Sequence, residues 1–401
     1  MNILDFIRRG ILIATIAFST SMAWAQDAAK VATADNSFAF DLFRKIASAQ
    51  PEKNIFISPL SVSSVLLMIA NGAAGDTRTE LAGALHIGQI APPGVNAACK
   101  ALDASLDSET NAVLTIANGI WCQQDCRLKP GFIDDNKNFF GAELASVDFK
   151  IPASAEAINA WADRQTHGRI QDVVQYPFPS MTRLVLANAI YFKGRWAEPF
   201  DRGRTEKGSF RPAGGAVKNV MMMSQQKEFD YVENERFQAV RLPYAGNRLG
   251  MYLFLPATNS DAARVAADLT GDGWQSTVSG FRERKGLVEV PRFKLDYDVV
   301  LNESLQALGM KQAFDPNKAN FSAMADEPLF IGLVKQKSYV AVDEEGTEAA
   351  AVTVGLMRTT AIRMNEPPPF RMIVDRPFFF VIADRQTQAI LFMGIVNDPV
   401  N

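Results

Sequence analysis

Val342-Asp343-Glu344-Glu345-Gly346-Thr347-Glu348-Ala349-Ala350-Ala351-Val352-Thr353-Val354-Gly355-Leu356-Met357-Arg358-Thr359-Thr360-Ala361-Ile362-Arg363 has no anchoring aromatic, little bulk and few charges after Glu348. It follows the apolar run Leu329 to Val342 and precedes Pro367, Pro368 and Pro369, so it joins two regular elements and is longer than an ordinary connection. Two readings fit: a functional loop, or an Ala-rich helix built on Thr347 to Val352. Side-chain parity separates them. In an extended strand, residues two apart share a face, which groups Thr347, Ala349, Ala351, Thr353 and Gly355, with Glu348, Ala350, Val352 and Val354 opposite. The first face is wholly small and uncharged. Such a segment can enter a preformed sheet with that face against the core and Glu348 left in solvent, an arrangement that a surface helix does not need.

The chain around it has 401 residues, 48% hydrophobic and 21% charged, a globular composition large enough for a substantial core. Its net charge of -3 offers no broad basic field for nucleic acid or acidic lipid. Residues 1–25 carry Arg8 and Arg9, an apolar run from Ile11 to Phe18 and Ala23-Trp24-Ala25, the pattern of a cleaved export signal. A membrane anchor is the alternative, but the apolar run is short for a bilayer span. The mature chain, 26–401, then has a charge of -4, because Asp5 leaves with the two arginines. It is expected outside the cytoplasm, periplasmic or secreted.

Export makes the cysteines matter. Cys122 and Cys126 flank Gln123-Gln124-Asp125 and could close a small disulfide loop, which leaves Cys99 unpaired. No metal site is expected: the histidines are His86 and His167, and neither lies in ligand spacing with a cysteine.

In chain order, a polar tail is expected to about Asp35, then a helix from Ser37 to Ala47 and a short buried strand Asn54 to Ile57. Ser61 caps the next helix, which ends at Asn71-Gly72, and Thr77 with Glu80 forms a capping box for a third helix ending near His86. Strands are expected over Leu114 to Trp121, Arg183 to Phe192, Met221 to Met223, Val240 to Leu242, Met251 to Leu255, Val288 to Phe293, Phe378 to Ile382 and Ala389 to Ile395. Helices are expected from Pro130 to Phe140 and from Ser154 to Gly168. Asn188 is a polar residue in an apolar strand and must find partners if buried. No repeat or linker divides the chain, which reads as one α+β domain.

Catalytic motifs are absent. There is no Gly-x-Ser-x-Gly elbow, no His-Glu-x-x-His and no phosphate-cradling Gly-rich loop, so the chain is not expected to be an enzyme and no cofactor is implied. A hydrolase built on paired carboxylates is the remaining catalytic alternative.

Four separated motifs, in order, resemble the serpin family, and the likeness runs from about Ser37 to Pro399. They are Asn54-Ile55-Phe56-Ile57-Ser58-Pro59-Leu60-Ser61 with Gly72-Ala73-Ala74-Gly75-Asp76-Thr77; Ala187-Asn188-Ala189-Ile190-Tyr191-Phe192-Lys193-Gly194-Arg195-Trp196; Glu344-Glu345-Gly346-Thr347-Glu348-Ala349-Ala350-Ala351; and Asp375-Arg376-Pro377-Phe378. The resemblance implies the serpin fold, with three β-sheets, about nine helices and an exposed reactive-centre loop, here in an exported, bacterial-type member. It also implies suicide inhibition of serine, and also cysteine, endopeptidases. The target protease attacks the loop and forms an acyl-enzyme, and the cut loop inserts into the central sheet before deacylation, carrying the protease with it. The small hinge, Glu344 to Ala351, favours an inhibitor over a non-inhibitory binding or chaperone-like member.

Further positions follow from the same likeness. Ser58, Ser61, Asn188 and Gln336 match the polar cluster where the sheet opens, with Gln336 standing where the family usually has histidine, so no protonation switch is available there. Trp196 matches the aromatic where insertion begins, and Glu344 and Arg292 a restraining ion pair. Family spacing from Gly346 puts the scissile bond at Thr360-Ala361, with Arg358 and Arg363 as alternatives that would recruit a trypsin-like protease. Heparin is not expected, because the region before Leu114 carries Asp103, Asp107 and Glu109 beside Lys100. The expected partner is a target protease, covalently bound, and the working form a monomer.

Overall fold

The computed structural model describes residues 29–88, 90, 92–107, 112–347 and 368–399. The leader 1–25, hinge residues Glu348, Ala349, Ala350 and Ala351, and Arg358, Thr360, Ala361 and Arg363 lie outside them. Nine α-helices lie among the described residues: α1 (29–49), α2 (Pro59–Gly72), α3 (Gly75–Ala84), α4 (Pro92–Asp107), α5 (Pro130–Phe140), α6 (Ala153–Gln165), α7 (Ala262–Asp268), α8 (Gly271–Gly280) and α9 (Asn302–Ala307). The strands are β1 (Ile55–Ile57), β2 (Ala112–Gln123), β3 (Glu143–Val147), β4 (Leu184–Arg195), β5 (Glu206–Phe210), β6 (Lys218–Glu233), β7 (Phe237–Pro243), β8 (Leu249–Pro256), β9 (Arg282–Pro291), β10 (Phe293–Val300), β11 (Ile331–Val342), β12 (Gly346–Thr347), β13 (Phe370–Ile373), β14 (Phe378–Asp384) and β15 (Ile390–Val396).

Hydrogen bonding joins the strands into two networks rather than three separate sheets. The six-stranded one runs β10-β11-β12-β4-β2-β3; the nine-stranded one runs β1-β15-β14-β8-β7-β6-β9-β13, with β5 on β6. The long β6 fuses the two sheets expected separately: its Asp230 to Glu233 pair with β7, while Met222 to Tyr231 pair with β9.

The six-stranded sheet is the one that positions the site. Leu184 to Phe192 of β4 are buried on both faces. On one side Val185, Ala187 and Ala189 lie under Ile158, Trp161 and Ala162 of α6. On the other, Leu186, Ile190 and Phe192 join the main core with α2. A strand covered twice reads as a continuous apolar run, which is why its single asparagine stands out. β10 has one covered face, and its residues alternate strictly between buried and exposed.

Several local expectations are corrected. The segment before Asp35 is helical, and Val31, Ala32 and Ala34 are buried in the core, so α1 begins well before Ser37. Ser58, not Ser61, caps α2: its Oγ accepts from the Ser61 amide, with Pro59 in the first turn. Thr77 and Glu80 form no capping box. Thr77 Oγ1 accepts from the Asn320 amide, and the Glu80 carboxylate accepts from the amides of Lys311 and Gln312, so tertiary contacts take both side chains. His86, two residues past the end of α3, sits beside Asp41 at 2.9 Å.

Candidate functional site

β4 and β11 are parallel neighbours from the Leu184–Ile331 pair to the Tyr191–Tyr339 pair. Midway, this register sets Asn188 against Gln336, and the antiparallel register of β2 sets Asn118 on the other side of Asn188. Gln336 is wholly buried. Its Nε2 donates to Asn188 Oδ1 at 2.7 Å and to the Ser58 carbonyl at 3.0 Å, while its Oε1 accepts from the Ser58 amide at 2.9 Å. Asn188 Nδ2 donates to Asn118 Oδ1 at 2.7 Å and to Ser61 Oγ. All four expected cluster residues therefore meet at one point, where a side-chain amide bond stitches the β4–β11 seam to the end of α2. Parallel pairing and this side-chain hydrogen bond together close the seam.

Past Tyr191 and Tyr339 the two strands diverge, and β12 fills the fork. Thr347 pairs with Val342 of β11 and Gly194 of β4, and Gly346 pairs with Arg195, so the hinge enters antiparallel to both flanks. The approach is so close that a Cβ on Gly346 would lie 2.1 Å from the Gly194 carbonyl oxygen, and a Cβ on Gly194 would lie 2.8 Å from the Tyr244 ring. Only glycine fits in either place. Thr347 is fully buried, and its Oγ1 lies 2.7 Å from the Tyr244 hydroxyl. The Tyr244 ring stacks on Trp196, centroids 4.7 Å apart.

The turn before β12 is fastened to the segment after β4. Trp196 donates its backbone N–H to the Glu345 carbonyl at 3.0 Å and its indole N–H to the Asp343 carbonyl at 2.9 Å; the Phe200 amide donates to the Glu344 carbonyl at 2.8 Å. The Glu344 carboxylate, almost wholly buried, accepts from Arg292 Nε at 2.8 Å, Arg292 Nη2 at 2.5 Å and Thr205 Oγ1 at 2.6 Å. Burial alone would raise its pKa, but these bonds prevail and hold it below the usual carboxylate range. At Asp343 burial outweighs the backbone hydrogen bonds and the nearby Arg202 charge and pushes the carboxyl upward. Trp196, Arg292 and Glu344 thus converge as expected. Asn118, Thr205, Tyr244 and Arg202, which pairs with Glu345, complete the site without having been expected. Of these only Asn118, an amide inside an apolar strand, left a readable signal.

Cys122 and Cys126 are free thiols, as is Cys99. β2 extends through Gln123, so Cys122 lies inside the strand, where its sulfur sits 3.2 Å from Ser146 Oγ of β3. Cys126 follows just past the strand, and its thiol lies within hydrogen-bond reach of that of Cys122. Among the described residues no group of three or more His, Cys, Asp or Glu side chains could hold a metal ion, and no helix is long and apolar enough to cross a membrane.

The site is thus a central sheet with a closed parallel seam, a fork at one end and a short chain segment seated in that fork. The model of the serpin (serine protease inhibitor) family matches residues 33–399, and the chain belongs to that family. It is 37% identical over 378 residues to an uncharacterized serpin-like protein of Thermococcus kodakarensis, covering 92% of this chain and 86% of that one. It is 34% identical over 385 residues to the leukocyte elastase inhibitor of Homo sapiens, covering 92% of this chain and all of that one. Among solved structures, native protease nexin-1 with heparin superposes with a TM-score of 0.84 at 30% identity, over 93% of this chain and 100% of that chain.

Proposed function

We propose that the chain is an irreversible inhibitor of serine endopeptidases that traps the acyl-enzyme by inserting its cut loop between β4 and β11. The observation that carries this reading is β12, already paired with both flanking strands. Carried inward from β12, the same register would have each further loop residue meet one residue earlier on either flank. Ala349 then falls between Phe192 and Val340, Ala351 between Ile190 and Ser338, and Thr353 between Asn188 and Gln336. Phe192, Ile190 and Val340 are fully buried, so the slot has room only for small side chains on the inward face. Entry exchanges one parallel ladder for two antiparallel ones, the more stable pairing per residue, and so supplies the drive.

The same register bears on the scissile bond. Met357 meets Leu184, the first residue of β4. A cut after Thr360 leaves three residues, roughly 10 Å, past the end of the strand; a cut after Arg358 leaves one, and after Arg363 six, roughly 20 Å. Thr360-Ala361 therefore combines full insertion with a short tether, and suits a protease accepting small or β-branched residues. Residues 1–25 act as a cleaved, bacterial-type export signal, the inhibitor works as a monomer outside the cytoplasm, and the acidic residues around Lys100 leave it without a heparin requirement. The non-inhibitory role is the competing outcome.

The test is incubation of the mature chain with trypsin, pancreatic elastase and subtilisin, followed by denaturing electrophoresis and intact mass of the released C-terminal peptide. A complex that survives denaturant supports the reading, and a peptide starting at Ala361 supports the bond. Cleavage by every protease with no complex overturns it in favour of a binding protein. Mass of the exported chain, expected to begin at Gln26, checks the leader.

A further inference from the structure

We propose that Arg202 is a positioning residue for loop insertion: it holds Glu345 down and so keeps Gly346 and Thr347 seated in the fork before any protease arrives. The inference rests on the inhibitory reading for its consequence, but not for its geometry. Glu345 is the last of three consecutive acids, Asp343, Glu344 and Glu345, all in one tight turn in which the Asp343 carboxylate accepts from the amides of Glu345 and Gly346. Glu344 is paired with Arg292 and also accepts from the Thr205 hydroxyl. Arg202 is the ion-pair partner of Glu345, at 3.4 Å, and the two side chains are unequally exposed: 60% for the arginine, 9% for the glutamate.

That inequality gives the pair its role. Arg202 loses little by swinging into water, because its guanidinium is already mostly solvated. Glu345 without Arg202 is a nearly buried carboxylate beside two other acids, which is expensive unless the turn lifts out. Gly346 and Thr347 follow directly in sequence, and any lift of Glu345 draws them from their pairing with Gly194, Arg195 and Val342. Arg202 itself has a fixed base: it opens a short 3-10 turn, Arg202–Arg204, capped by the Asp201 side chain, which accepts from the Gly203 amide at 2.9 Å. The pair is thus a latch with its rigid half on the body and its buried half on the hinge. A seated hinge begins insertion with its first rungs already formed, whereas a lifted hinge must form them while the acyl-enzyme is being hydrolysed.

Two measurements test this, one of which needs no inhibition. Cleavage after Glu345 by a Glu-specific endopeptidase, followed by mass so that cuts at Glu344 or Glu348 are read separately, reports whether the turn is seated. Arg202→Ala should accelerate it roughly tenfold, and Arg202→Lys, which keeps the charge, by much less. Against a protease that the unaltered chain traps, Arg202→Ala should raise at least threefold the moles of inhibitor consumed per mole of protease silenced. The double variant Arg202→Ala with Glu345→Gln, having no charge left to rescue, should return to near the original value. Raised salt should move the unaltered chain toward Arg202→Ala and leave the double variant in place. If the unaltered chain forms a complex and Arg202→Ala changes neither readout, the latch is refuted. If it forms none, yet Arg202→Ala opens the Glu345 bond, the latch stands and the inhibitory reading falls. A double variant as impaired as Arg202→Ala reduces Arg202 to a packing residue and also refutes the latch.

Discussion

Thr353→Val isolates the one polar exchange that insertion requires. In the uncut protein, Gln336 Nε2 donates to Asn188 Oδ1 across the closed seam. In the register set by Thr347, Thr353 arrives between those two residues with its side chain on their face, since it lies six residues beyond Thr347. Its hydroxyl can donate to Asn188 Oδ1 and accept from Gln336 Nε2, restoring both halves of the bond it displaces. Valine has nearly the same shape and does neither. Each buried polar atom left without a partner costs about 1–3 kcal/mol, so the inserted form should lose roughly 2–5 kcal/mol. With a guanidinium m-value of at least ~5 kcal/mol/M for a chain this long, its unfolding midpoint should fall by about 0.4–1 M. In the uncut form Gln336 and Asn188 bond to each other, and its midpoint should not move. The assay is denaturant unfolding of both forms, each with and without the substitution, after cutting the loop with a protease that nicks without forming a complex. Equal midpoints for the two cut forms, or a shift in the uncut form alone, would refute the register.

Gly346→Ala places a methyl 2.1 Å from the Gly194 carbonyl oxygen; neither backbone can yield, the hinge should leave the fork, and the yield of covalent complex should fall by at least half on densitometry of denaturing gels. Gln336→Leu keeps the bulk but leaves Asn188 Oδ1 and both Ser58 backbone groups without that partner; the native form should lose about 3 kcal/mol and show faster self-association on mild heating, read by size-exclusion chromatography, because an opened seam accepts another molecule's loop. Asp35, buried at 5% exposure, has its carboxyl pushed up to about 7 by burial, with a hydrogen bond from Ser63 opposing and Asp103 adding to the rise. The folded chain therefore keeps a proton that the unfolded chain releases above about pH 4, and stability falls as pH rises from there to about 7. Asp35→Asn does not titrate, so its Tm relative to the unaltered chain should rise between pH 4 and pH 8, by an amount on the order of 3–5 °C; a pH-independent difference would sink this reading.

Asn188 was legible in the sequence for a physical reason, since an asparagine in the apolar run around Ala187 to Phe192 must be satisfied wherever that strand packs. Ser58, Ser61 and Gln336 were placed beside it by the family likeness, and strand parity, being local, marked the small face that begins at the buried Thr347. The latch was not legible. Arg202 and Thr205 sit in an irregular connection, and Tyr244 in a turn; nothing periodic marks them, and they meet Glu344, Glu345 and Thr347 only because β4, β11 and the segment after β4 converge at the fork. Thr77 and Glu80 failed in the opposite sense: their spacing satisfies a local rule, yet the segment Lys311 to Asn320 competes for the same side chains and wins.

That contrast bears on how the molecule stays both loaded and safe. The seam between Leu184–Tyr191 and Ile331–Tyr339 is closed by parallel pairing and one buried amide stitch, neither of which a loop end can break cheaply from the middle. On the insertion reading it opens from the fork, where the hinge already occupies the first positions, and the fork is held by ion pairs at Glu344 and Glu345 together with the hydrogen bonds from Trp196 and Phe200, rather than by apolar packing of the hinge itself. Small side chains supply little grip. A hinge built to slide between Phe192, Ile190 and Val340 therefore has to be anchored by charge at its root, and the acids before Gly346 are where such an anchor can act without entering the sheet. The smoothness visible in the sequence and the latch hidden in the structure are two sides of one requirement: a strand that moves freely once cut must be held by something other than its own side chains until then.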